Sequence, residues 1–135
     1  MNSVVHFEMP FDDRERMAEF YHQAFDWRTE MLGAEMGNYV LARTTDTDDS
    51  GHPTVPGAIN GGFFQRRTDW PGQYPSVVIA VDDIGKAMKK VAAAGGKVLG
   101  QPMEIPGVGQ YVSFEDTEGN RVAMLQPSGA EGALR

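Results

Sequence analysis

The chain contains no cysteine, which excludes disulfides, thiolate metal sites, iron–sulfur clusters and a cysteine nucleophile. Any metal must be held by His, Asp, Glu, Asn or Gln. Long apolar runs are missing as well: nothing approaches the ~20 residues of a membrane-spanning helix. Met1–Phe11 has neither the basic start nor the apolar stretch of a signal peptide, so a cytoplasmic protein without membrane attachment is expected. Positive charge is scarce. Twelve Lys and Arg stand against nineteen Asp and Glu, a net charge of −7, and the whole imbalance falls in residues 1–50. Such a surface repels phosphate backbones and anionic lipid, so nucleic acid is not an expected partner, while a cationic ligand stays electrostatically open.

What is present suits one compact domain. The 135 residues are 41% hydrophobic and 23% charged, within the globular range and long enough to bury a real core. From Val4 to Met9 the sequence alternates, with Val5, Phe7 and Met9 on one face and Val4, His6 and Glu8 on the other, which predicts a strand ended by Pro10. Asp12 and Asp13 are N-cap candidates, with Asp12 and Glu15 approximating a capping box. Met17, Phe20, Tyr21, Ala24 and Phe25 then fall at helical spacing. Strands are expected over 28–32, 38–44 and 58–66, which makes the first half βαβββ.

The second half repeats this plan. A β-rich run over 76–81 meets Asp82 and Asp83, and Ile84, Ala87, Met88 and Val91 form a helical stripe ending at Gly95 and Gly96. Strands follow over 97–100, 110–115 and 121–126, with a hairpin turn at Asp116–Asn120. A shift of 70 residues places Asp12-Asp13 on Asp82-Asp83. Two similar modules, about 1–66 and 76–127, each with an exposed sheet face, bury those faces together. Residues 67–75 read as their connector and 128–135 as a flexible tail.

Each helix covers one face of its strand, so the other face lines whatever the sheet curls around. His6 and Glu8 lie on that face, where an imidazole and a carboxylate suit a polar ligand, a metal or an acid–base pair. Asp46-Thr47-Asp48-Asp49-Ser50-Gly51 opens like a calcium-binding loop, but its twelfth position falls on Gly57. An exposed loop is expected there.

Several segments together carry a family resemblance: His6-Phe7-Glu8-Met9-Pro10-Phe11-Asp12-Asp13, Ala18-Glu19-Phe20-Tyr21, Phe25-Asp26-Trp27, Ile59-Asn60-Gly61-Gly62, Val81-Asp82-Asp83 and Asp116-Thr117-Glu118-Gly119-Asn120. In this order the chain resembles the vicinal oxygen chelate superfamily, the group of glyoxalase I, bleomycin-resistance proteins and extradiol dioxygenases. The resemblance implies an α+β fold of two paired βαβββ modules forming a curved mixed sheet around a central cleft. It also implies metal ligands on the first and last strands of each module, usually His or Gln, Glu, His and Glu. His6 matches one such position; Ser76 stands at the second-module equivalent, Ala123 stands on the last strand, and the 59–65 strand has no carboxylate.

With only His6 matched, no cofactor is expected. The expected cleft is lined by His6, Glu8, Asn60, Gly62, Phe64, Ser76, Val78, Tyr111, Arg121 and Ala123, with His6 and Glu8 the candidate catalytic groups. The leading expectation is a protein that binds a small organic molecule there without a complete metal site. A metal-dependent lyase, isomerase or dioxygenase using other ligands for a divalent ion is the first alternative; sequestration of a cationic drug, suggested by the acidic first module, is the second. Modules of resembling proteins pair within a chain or across a swapped dimer, and the sequence leaves a homodimer open.

Overall fold

A computed structural model describes residues 1–128 of the chain; the expected tail lies outside them from residue 129 on. The elements are β1 Val4–Phe11, α1 Arg14–Phe25, β2 Arg28–Met31, β3 Val40–Arg43 and β4 Gly61–Gln65, then β5 Ser76–Ala80, α2 Ile84–Ala93, β6 Lys97–Ile105, β7 Gly109–Glu115 and β8 Arg121–Pro127. A short 3-10 turn at Ala34–Met36 joins β2 to β3. Both halves are therefore βαβββ. They form one eight-stranded sheet in the order β2-β3-β4-β1-β5-β8-β7-β6. Pairing is parallel between β1 and β4 and between β5 and β8, and antiparallel elsewhere.

The seam between the halves is the β1–β5 pair, so the modules join within one chain. Phe7 pairs with Val77, and His6 and Glu8 pair with Val78 and Ser76. This register is its own image under the 70-residue shift, and it puts a pseudo-twofold axis through the Phe7–Val77 pair. The helices cover one face of the sheet. Under α1, Phe11, Val40, Ala42 and Phe63 form a buried cluster joined by Phe7, Met9, Met17, Tyr21 and Trp27. Under α2 the equivalent cluster is Val81, Ile84, Val112 and Met124. Complete burial of Phe63 and Val40 contributes roughly 1.5–3 kcal/mol each.

The local signals act with a few differences from expectation. The carboxylate of Asp13 accepts from Arg16 N at 3.0 Å and caps α1. Asp12 forms no capping box, because its carboxylate is turned to Arg66, 3.1 Å away. Pro10 does not end β1, which runs to Phe11. Beyond Glu8 the strand pairs with β4 only, and a residue without an N–H is tolerated where one edge is free. β6 continues past Gly100, where a positive φ of 91° and a register shift let the strand kink without ending. β4 starts at Gly61, leaving Ile59 and Asn60 outside the sheet.

Gly61 permits the seam. A Cβ there would run into the ring of Phe7 on the adjacent strand, so only glycine lets that ring lie across β4. Gly61→Ala is expected to cost about 1–3 kcal/mol of stability through overpacking, measured by urea unfolding. Phe7→Leu in the same chain should recover part of that loss, since the two positions share the clash.

Candidate functional site

Strand alternation aims His6 and Glu8 away from the helices, and both are buried, at 2% and 8% exposure. Two tyrosines meet them. Val40 and Ala42 point into the core under α1, so Tyr39 and Leu41 take the opposite, concave face. On β7, Val112 points to α2 and Tyr111 to the concave side, where it packs with Val78, Ala123 and Leu125. The register makes the tyrosines equivalents of each other. Glu8 and Val78, 70 residues apart, pair with Gly62 and Ala123, which in turn pair with Leu41 and Ser113. Tyr39 and Tyr111 each lie two residues before those last partners.

Both phenols converge on one carboxylate. The Tyr111 hydroxyl donates to Glu8 Oε1 at 2.6 Å and the Tyr39 hydroxyl donates to Oε2 at 3.1 Å. His6 Nε2 lies 3.1 Å from the Tyr39 oxygen. With the Tyr39 proton committed to Glu8, the imidazole donates through Nε2–H, and Nδ1 becomes an acceptor. That Nδ1 is buried and has no partner among the described residues.

Burial sets the electrostatics. Desolvation raises the Glu8 carboxyl above its ordinary value, opposed by the hydrogen bonds from Tyr111 and Tyr39 and by the charge of Arg121. Desolvation also pushes His6 down to about 4, so the ring is neutral at physiological pH. Both tyrosines are raised, first by burial and then by the neighbouring Glu8 charge, and stay protonated donors. The floor beneath them is small for a reason: a Cβ on Gly62 would occupy the position of the Tyr39 hydroxyl.

Of the residues expected in the cleft, strand alternation puts His6, Glu8, Gly62, Phe64, Ser76, Val78, Tyr111, Arg121 and Ala123 on this face. Asn60 is placed elsewhere. Its side-chain oxygen accepts from the backbone N–H groups of Thr44 and Thr45 at 2.7 and 3.0 Å, bracing the loop after β3. Sequence reasoning missed Tyr39. The available signal was its alternation with Val40 and Ala42, which assigns it to the same face as Leu41. Trp70, in the connector, lies over the Arg121 guanidinium, 5.2 Å from ring centroid to Cζ. In the 46–57 loop the Asp48 carboxylate is occupied by the N–H groups of Ser50 and His52, as an exposed turn requires. An apolar open groove of about 420 Å³, lined by Phe7, Met9, Trp27, Ile59, Ser76 and Val77 among others, opens beside the seam.

The model of the Glyoxalase/Bleomycin resistance protein/Dioxygenase superfamily matches residues 3–124. The chain belongs to that superfamily. It is 30% identical over 125 residues to a glyoxylase-like domain-containing protein of Didymella fabae, covering 90% of this chain and 91% of that one. It is 32% identical over 93 residues to CFP32 of Mycobacterium bovis, whose name marks it as a glyoxylase; the match covers 67% of this chain and only 31% of that protein. Among solved structures, Streptomyces coelicolor methylmalonyl-CoA epimerase superposes with a TM-score of 0.70 at 17% identity, covering 98% of this chain and 99% of that one. A Bacillus halodurans protein, BH1468, gives 0.68 at 12% identity over 95% and 96%. These superpositions share the fold.

The superfamily implies a divalent ion, and the side chains at the matching positions do not fit one. His6 is the one ligand type among them; its Nε2 meets Tyr39, and its Nδ1 has no partner among the described residues. Gly62, Ser76 and Ala123 supply no imidazole or carboxylate. Glu8 adds only a second donor, short of the three or four that a stable site needs. Among the described residues no three His, Asp or Glu side chains gather as a metal site needs.

Two outcomes follow from the cluster. Tyr111→Phe strips one oxygen of a buried carboxylate of its donor and should cost about 1–3 kcal/mol. Tyr39→Phe should cost more, because it strands His6 Nε2 as well as Glu8 Oε2; chemical denaturation of the two variants side by side checks the order. His6 gives a pH signature. Its folded pKa lies below its unfolded value, so its contribution to stability is intact above pH 6.5, falls as the unfolded chain takes up the proton, and is gone near pH 4. The loss across that window is on the order of 3 kcal/mol, and melting curves of His6→Gln should show a flatter acid limb than the parent chain.

Proposed function

We propose that this protein binds a small organic molecule on its concave face, between the two modules, with Glu8 as the polar anchor and without a metal ion. The observation that carries the reading is the Tyr39–Glu8–Tyr111 bridge. It holds a buried carboxylate rigidly by one hydrogen bond on each oxygen, and each oxygen retains acceptor capacity for a donor group of a ligand. His6 Nδ1 offers a second buried acceptor beside it. Around these groups Val78, Ala123 and Leu125 form an apolar floor. Apolar walls with a few fixed polar groups are what a small organic ligand needs. The fold itself accommodates such molecules: the Streptomyces coelicolor epimerase was solved in complex with 2-nitronate-propionyl-CoA.

Binding ranks above catalysis because among the described residues no nucleophile is paired with a base and an orienting group. Glu8 beside His6 is nonetheless an acid–base pair in waiting, and both are the groups to change first. Elemental analysis of protein purified without chelator should find far less than one ion per chain. Nickel, zinc, manganese and iron should leave the melting temperature unmoved. About one tightly held ion per chain, with clear thermal stabilisation, would instead establish the metal-dependent lyase, isomerase or dioxygenase reading. A ligand found by metabolite screening and present at a hundred times its Kd should stabilise the fold by about 2.7 kcal/mol. That gain should shrink in both Glu8→Gln and His6→Ala.

A further inference from the structure

We infer that the molecule taken up on the concave face is a small organic anion whose carboxylate sits on Arg121 while a hydroxyl or amide group of the same molecule reaches Glu8. The inference rests on the ligand-binding reading above and adds the chemical class. It starts from the sheet. Glu8 pairs with Ser76, and Val78 pairs with Ala123, so Ser76 and Arg121, two residues earlier on their parallel strands, fall on the same row. Glu8, Ser76 and Arg121 therefore stand side by side across β1, β5 and β8, with the outer two about 10 Å apart at the backbone, two strand spacings. Alternation puts Arg121 on the same face as Ala123 and Leu125. Its charge acts on both Glu8 and Tyr111.

Arg121 is poised and unspent. Among the described residues no Asp or Glu forms an ion pair with it, whereas Arg66 and Arg67 are paired with Asp12 and Asp69. Among the described residues its side chain makes one hydrogen bond, a long one from Nη1 to the Pro71 carbonyl at 3.4 Å, which leaves most of its five N–H donors free there. The Trp70 indole lies against the guanidinium, and Arg67 lies against the same indole at 4.7 Å. Gly72 runs close beside the Arg121 stem. The connector thus fixes the guanidinium at the rim without neutralising it, an arrangement suited to planar recognition of a carboxylate. Two carboxyl groups flank Arg121 on this face: Glu115, its register partner on β7, which forms no ion pair with it among the described residues, and Glu8, two strands away, which is faced by His6, Tyr39, Tyr111 and Arg121 and is raised by burial. An incoming anion is met by the Arg121 cation at the rim. A cationic ligand would have to settle beside an unpaired guanidinium.

The test uses the full chain in a protein-observed NMR titration with three matched sets of fragments: hydroxy-carboxylates, the corresponding primary amides and the corresponding primary amines. Carboxylates should shift resonances of β1, β7 and β8 and bind about tenfold more tightly than their amides, the effect of roughly one ion pair. Arg121→Gln should abolish that preference while weak amide binding persists, and Arg121→Lys should restore part of it. Thermal melting of both variants separates a folding defect from a lost contact, and Arg121→Lys keeps the charge if Arg121→Gln unfolds. Amides or amines binding the same residues as tightly as carboxylates, or a preference that survives in Arg121→Gln, would overturn the anion and leave the ligand-binding reading standing. No concave-face response to any of the three sets would overturn that reading and the inference with it.

Discussion

A carboxylate buried at the seam of two modules is the constraint around which the concave face is organised. Moving a Glu side chain out of water is costly unless hydrogen bonds and a countercharge replace what water supplied. Here Tyr111 and Tyr39 each donate to one oxygen and Arg121 supplies the charge. The tyrosines reach Glu8 because β3 and β7 fold back onto β4 and β8 in a register that brings equivalent residues to equivalent places. Gly62 is small because the Tyr39 ring lies over it. Replacing any one of these groups leaves the others without a partner, so the cluster behaves as a unit.

Duplication supplies the frame and divergence supplies the site. The two halves share topology, helix caps at Asp13 and Asp83, and a core cluster beneath each helix. They differ on the inner face of their first strands. His6 and Glu8 in the first half correspond to Ser76 and Val78 in the second, so one half provides polar groups and the other provides floor. A symmetric pair of carboxylates at the axis would repel each other in a dry site. A single carboxylate served by the tyrosines of both halves avoids that and gives the cleft a direction, from Glu8 on β1 toward Arg121 on β8.

Much of this was legible in the sequence because it depends on local pattern. Alternation located β1 and assigned His6 and Glu8 to the inner face, helical spacing and paired aspartates located α1 and α2, and the 70-residue shift revealed two modules, though not that they join edge to edge through β1 and β5 in one sheet. What escaped depends on contacts distant in sequence. Tyr39 looks like an ordinary strand residue until β3 is laid across β4; its hydroxyl then meets a side chain 31 residues away. Asn60 looked like a lining residue because β4 was expected to begin earlier, whereas the strand starts at Gly61 and the Asn60 amide is drawn to the Thr44 backbone. Pro10 reads as a strand breaker only if both edges of β1 are paired, and past Glu8 one is free.

Net charge points one way and the cleft the other. The excess of acid over base, all of it in the first fifty residues, suggests a cationic ligand when averaged over the surface. Charges on the outside of a small domain are screened over about 8 Å at physiological ionic strength, and those within a cleft much less. Asp48 and Asp49 are solvent-facing, and Asp12 is tied to Arg66. Inside, Glu8 sits between phenols with its charged form disfavoured by burial, while Arg121 at the rim forms no ion pair among the described residues, although Glu115 is its register partner on β7. The potential on the concave face is therefore governed by a few residues on β1, β7 and β8, where the Arg121 cation stands between Glu8 and its register partner Glu115.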